Sequence, residues 1–247
     1  MSGLPWLSKG GRPLFLAVLL LVSGCDQKVE SGASGDPAAS SGETGNAGLA
    51  TASNVPLGIG FDFYVLSLSW SPSYCEAEGE KANRQQCSQG RPYAFVVHGL
   101  WPQFERGYPE TCGGDSEVDR EMLRSLYDII PSAGLIRHQW RKHGTCSGLT
   151  QAEYFHVLRR ARERVIVPTE FRSLDTHRVL EPGSAESSFL KANRGLGPAG
   201  VAVTCDSRFL REVRICLTKS LEFRDCAEVD RRACRAERVV MPPVRGG

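Results

Sequence analysis

The segment Arg137-His138-Gln139-Trp140-Arg141-Lys142-His143-Gly144-Thr145-Cys146 gathers two imidazoles, an ammonium and an amide into a short stretch of chain. On a helix, side chains four apart share a face. His138 then stands over Lys142 and Gln139 over His143, with Trp140 turned toward a core. Gly144 suits the end of such a helix, because glycine accepts positive φ there. This set of groups suits an anionic reaction centre such as a phosphodiester. Two other readings compete. Polar residues along a short helix also describe a solvated face. The zinc-protease pattern is His-Glu-x-x-His, but His138 and His143 are five apart with no Glu between them, which disfavours a metal site.

A second histidine stands upstream. Tyr93 to Val97 is a β-type run that delivers His98-Gly99-Leu100-Trp101-Pro102 at its end, where side chains are held rigidly. Alone, His98 and Trp101 read as core; beside the first segment they read as the other half of a site.

The elements that must position these groups are mixed. Phe61 to Trp70 reads as a buried strand ended by Pro72, and a loop closed by Cys75–Cys87 follows. Phe104 to Gly114 is a loop carrying Tyr108 and Cys112. Val118 to Ile130 has helical spacing. Gln151 to Val165 is a strong helix with Thr150 as N-cap, and its Arg159, Arg160, Arg162 and Arg164 read as a solvated face. Gly200 to Thr204 and Phe209 to Thr218 read as strands, the second with Val213, Ile215 and Leu217 on one side. Without regular βαβ alternation, this is an α+β protein: a largely antiparallel sheet packed by helices and stapled by disulfides.

The start of the chain has another character. Lys9 and Arg12 precede an apolar run from Pro13 to Val22, too short for a stable membrane anchor. Val22-Ser23-Gly24-Cys25 then resembles a bacterial lipobox, which makes residues 1–24 an export signal and Cys25 the lipidated residue. Residues 25–56, rich in Ser, Gly and Ala, bury too little to order themselves and read as a flexible tether. Residues 57–247 form the folded domain. The chain has 9 cysteines, and acylating Cys25 leaves an even set for disulfides in an oxidising compartment. None forms a Cys-x-x-Cys pair. The net charge of +2 excludes a strongly basic nucleic-acid-binding surface; such a ligand would be held by a local cluster.

Phe95-Val96-Val97-His98-Gly99-Leu100-Trp101-Pro102-Gln103 and His138 to Cys146 together resemble the two catalytic segments of the ribonuclease T2 family, and Phe61 to Cys75 resembles its opening strand. The resemblance implies a metal-independent endoribonuclease of low base specificity that needs no cofactor and acts on single-stranded RNA but not DNA. It implies His143 as general base, His98 as general acid, Lys142 as stabiliser of the phosphorane, and His138 as phosphate ligand. Trp101 and Tyr108 would contact the base. It further implies Cys112–Cys146 and a nested pair, Cys205–Cys234 around Cys216–Cys226. The chain departs from the family at Gln139, where Glu is usual. Loss of that charge implies a slower enzyme. The competing reading is an attenuated RNA-binding or surface lipoprotein. Exported, anchored in the cell envelope or periplasm and monomeric is the expected state.

Overall fold

The computed structural model describes residues 55–114 and 117–245, which fall within the compact unit Gly48–Gly247. The export signal 1–24, Cys25 and the tether up to residue 54 lie outside the described residues.

In chain order the elements are β1 (Phe63–Trp70), α1 (Ser71–Glu78), α2 (Arg84–Cys87), β2 (Phe95–Gln103), α3 (Arg120–Leu126), α4 (Ala133–Lys142) and α5 (Gln151–Arg164). β3 (Arg178–Leu180), α6 (Pro182–Ala192), β4 (Val201–Cys205), β5 (Leu210–Leu217), α7 (Ala227–Arg231) and β6 (Val239–Met241) follow. The main sheet has the order β2-β1-β5-β4, with every neighbouring pair antiparallel; β3 and β6 form a small second sheet. The α+β architecture read from the sequence is the one observed.

The central strand β1 explains the two faces. Tyr64, Leu66, Leu68 and Trp70 point into the main core with helices α4 and α5, while Phe63 and Val65 join Cys216 and Cys226 in a smaller cluster on the other face. Each fully buried large side chain contributes about 1.5–3 kcal/mol. The Trp70 indole N–H is satisfied by the carbonyl of Pro242 at 3.0 Å. Four disulfides join Cys75–Cys87, Cys112–Cys146, Cys205–Cys234 and Cys216–Cys226.

The second strand differs from the sequence reading in a way that matters. His98 does not follow the strand; β2 runs through it to Gln103. Ser67 pairs with Gly99 and Leu68 with Val97, so His98 is the extra residue of a β-bulge. A bulge offsets the alternation by one and re-aims side chains. Val97 and Leu100 therefore both enter the core, while His98 and Trp101 share the opposite side. The apolar run Phe95-Val96-Val97 gave too early an end to the strand, because a bulge has no signature in hydropathy.

The end of α4 also departs from expectation. The helix stops at His143, whose N–H still bonds the Gln139 carbonyl at 3.0 Å, and a 3-10 turn covers Gly144–Cys146. Gly144 is not among the positive-φ glycines. It is needed for space: a Cβ there would meet the Trp140 Cζ3 at 2.9 Å and the Tyr154 Cδ1 at 3.0 Å. Helix α5 begins as expected, with Thr150 and Glu153 forming a capping box. Its arginines are tied to their own neighbours: Arg159 to Asp128, Arg160 to Glu163, and Arg164 to Glu222.

Gly144→Ala is expected to destabilise the fold by about 1–3 kcal/mol through overpacking. Thermal unfolding beside the wild type measures it, and an unchanged midpoint would contradict the packing account.

Candidate active site

Gly99 lets α4 lie directly on β2. A Cβ at this position would collide with Gln139, 2.6 Å from its Cδ, and with the Trp101 indole nitrogen. Gln139 is consequently only 1% exposed, and its Oε1 accepts the Trp101 Nε1–H at 2.9 Å. The expected single flank of His138, Gln139, Lys142 and His143 is thus split by burial. Gln139 faces the sheet, His143 sits buried at the helix cap, Lys142 stays half-buried and His138 is exposed.

Trp101 stands between the two imidazoles. Its ring centroid is 5.4 Å from that of His98, edge-on, and 5.5 Å from that of His143. A hollow of about 450 Å³ brings His98, Trp101, Tyr108, His138, Gln139, Lys142 and His143 together. A second hollow lies on the far side of His98 and His138, lined also by Ser69, Leu135 and Arg211. Among the described residues, no cluster of three or more His, Cys, Asp or Glu is placed to hold a metal ion.

The two imidazoles meet opposite surroundings. His143 is 7% exposed and its Nδ1 is buried without a partner. Burial, then the charges of Lys142, His138 and His98, push its pKa down to about 3. His143 is therefore a neutral base over a wide acid range. His138 is lowered too, by burial first and then by Arg141, Lys142 and His98. His98 instead bonds through Nδ1 to the Glu212 carboxylate, leaving Nε2 as its second nitrogen.

Glu212 was not singled out from the sequence, nor was Arg214. Both lie on β5 opposite the apolar positions Val213 and Ile215, so strand alternation assigns them to solvent. Yet Glu212 is 8% exposed, and Arg214 donates to its Oε2 through Nε at 2.9 Å and Nη2 at 2.7 Å. Burial alone would raise the Glu212 pKa, but the His98 hydrogen bond, the His98 charge and Arg214 lower it to about 2. The available signal was an acid and an arginine two residues apart on one strand face, a pattern too common to stand out.

The loop after β2 closes the hollow. Thr111 adopts φ 55, a left-handed conformation costly for a β-branched residue, and its N–H bonds the Lys142 carbonyl at 2.8 Å. The Cys112–Cys146 disulfide and this bond pin the loop to the end of α4. Tyr108 is left 45% exposed at the rim, and Glu110 reaches the Lys142 ammonium at 3.1 Å.

Two imidazoles beside an ammonium, in a cleft between a sheet and a helix, suit the cleavage of a phosphodiester. Residues 61–226 match the model of the Ribonuclease T2 family, and the chain belongs to that family. A ribonuclease from Aeromonas hydrophila is 38% identical over 161 residues, spanning 64% of this chain and 73% of the relative. A probable ribonuclease from Haemophilus influenzae is 35% identical over 107 residues, 38% of this chain and 39% of the relative. Among solved structures, RNase NT in complex with 5′-AMP aligns with TM-score 0.57 and 25% identity, covering 74% of this chain and 98% of its own. An RNase-related protein from Calystegia sepium has the same fold, with TM-score 0.60 at 22% identity over 75% of this chain and 98% of its own. The protein is an endoribonuclease of this family and binds RNA.

The Glu110–Lys142 contact is half-exposed on both sides, so it is worth at most about 1 kcal/mol. A phosphate bound at the Lys142 ammonium would compete with it. Glu110→Gln is expected to lower KM by up to about fivefold at low ionic strength, with the gain fading as salt rises. Steady-state kinetics on an oligonucleotide at two salt concentrations checks this; an unchanged KM at both would show that the contact does not compete with substrate.

Proposed function

We propose that the protein cleaves single-stranded RNA, with low base specificity, by turning the ribose 2′-hydroxyl against its own phosphate. His143 removes the 2′-hydroxyl proton. The 2′-oxygen bonds to phosphorus as the bond to the 5′-oxygen breaks, and His98 gives its Nε2 proton to that leaving oxygen. The product is a 2′,3′-cyclic phosphate. Water then opens it with the two roles exchanged, leaving a 3′-phosphate. Lys142 and His138 carry the charge on the phosphate, and Trp101 and Tyr108 offer faces for a base. The nucleophile belongs to the substrate, so the reaction calls for neither metal nor covalent intermediate. DNA lacks the nucleophile.

One observation carries this reading: two imidazoles flank Trp101 in a single hollow with Lys142, one buried with its pKa depressed and the other hydrogen-bonded to a carboxylate. The hollows on either side of His98 give room for the nucleosides flanking the scissile phosphate. Yeast RNA digested in EDTA and resolved by mass is the test. Cyclic phosphates should appear first, and His98→Ala or His143→Ala should each cost on the order of 10²–10⁴-fold. The acid limb of kcat/KM should lie below the ordinary histidine range of about 6.5, because the free-enzyme base remains unprotonated there. RNA bound without cleavage would leave the binding-protein reading; inhibition by EDTA would leave the metal reading.

The sequence start supports export and attachment to a cell-envelope membrane through acylated Cys25, with residues 25–56 as tether to the domain 57–247. Cys25→Ser should move the protein from the membrane to the soluble envelope fraction. Continued sedimentation with membranes would remove the lipid-anchor proposal.

A further inference from the structure

We infer that Glu212 is the positioning residue for the acid His98, held in place by Arg214, so that a carboxylate absent at Gln139 of α4 is supplied to the other imidazole from β5. The inference rests on the proposed acid role of His98.

The sheet order makes the contact unusual. β5 is not a neighbour of β2; β1 lies between them. Glu212 stands opposite Ser69 and Arg214 opposite Ser67, on the face turned away from the main core. To meet His98, the Glu212 side chain must cross β1, two strand spacings or roughly 10 Å from its own strand's far neighbour. It can cross only because β1 presents serines there, with Ser67 fully buried beneath. The β-bulge brings the His98 side chain to the same face. Three local features of separate strands therefore converge on one hydrogen bond.

The carboxylate is also fixed in rotation. Oε2 is occupied by Nε and Nη2 of Arg214, which leaves Oε1 for His98. The Arg214 guanidinium lies 5.1 Å over the Trp101 ring, so the clamp braces the indole standing between the two imidazoles. A carboxylate at Nδ1 holds the proton on that nitrogen, directs Nε2 to the substrate, and stabilises the imidazolium. Its charge matters because most other charged groups lining the two hollows with His98 are cationic or become so: Arg211 and Arg214 from β5, His138 and Lys142 from α4, His143 at the helix cap and Arg232 after α7; the carboxylate of Glu228 on α7 also lines the first hollow but is engaged by Arg232 and the Gly107 N–H. Glu212 is the one carboxylate hydrogen-bonded to a cleft histidine among the described residues.

The experiment is a pair of isosteric exchanges read as full pH–rate profiles on a dinucleotide. Glu212→Gln should lower kcat about 10–100-fold with KM nearly unchanged, and move the alkaline limb to lower pH by roughly one unit. Gln139→Glu should instead raise the rate and move the acid limb upward, because its carboxylate would sit beside the base and not the acid. Glu212→Asp, which keeps the charge, should hold the alkaline limb near the wild-type position even where kcat falls, and it serves as the readout should Glu212→Gln not fold. Glu212→Gln with wild-type kcat and an unmoved alkaline limb would overturn the proposal, as would an effect confined to thermal stability. Activity surviving in His98→Ala would instead sink the acid assignment on which it rests.

Discussion

The absence of a side chain at Gly99 sets the distance between a strand and a helix, and the chemistry depends on that distance. α4 rests on β2 closely enough for the Gln139 amide to meet the Trp101 indole N–H. A methyl group at this point would lift the helix, and with it His143, away from the strand that carries His98. The same contact explains why Trp101 can touch both imidazoles, since it is held from above by Gln139 and braced by Arg214. Interiors pack too densely to absorb such a shift elsewhere.

From this contact the supporting structure can be followed outward. Tyr154 of α5 donates to the Leu100 carbonyl at 2.7 Å, and its ring packs 5.8 Å from Trp140. One tyrosine thus joins the strand of His98 to the helix that ends at His143. Gly144 leaves room for that packing one residue after His143. On the other side, the Cys112–Cys146 disulfide and the Thr111 N–H hold the loop bearing Tyr108 and Glu110 against the helix end. The site is assembled from rigid elements, and only its rim is loop.

The chemical groups were more legible in the sequence than their placement. His98, His138, Lys142 and His143 declare themselves because few side chains do this chemistry and they fall in two tight clusters. The strands and α5 were legible too, from alternation and from Thr150 with Glu153. The bulge at His98 was not, since inserting one residue changes pairing without changing composition. Gly144 invited a conformational explanation, where the reason is a ring lying over it. Glu212 and Arg214 were hidden by the same alternation that revealed β5. A period of two distinguishes faces but does not say which outer face is covered, and here that face is roofed by the site itself.

Reactivity and acid tolerance are set against each other at this centre. His143 is depressed from 6.5 to about 3, so the unfolded chain takes up its proton first as pH falls, and stability is lost across that window. Glu212 is depressed from 4.5 to about 2, so its contribution is present above the unfolded value and disappears as pH falls through the folded one. Both groups therefore weaken the fold in acid, where the neutral base would otherwise remain usable. Four disulfides act against this without depending on pH, since a covalent cross-link restricts the unfolded chain by about 2–4 kcal/mol each. One of them pins the loop beside His143 and two secure the strands and chain around β5, which carries Glu212. Three of the four cross-links thus lie on or beside the elements that carry the buried imidazole and the buried carboxylate.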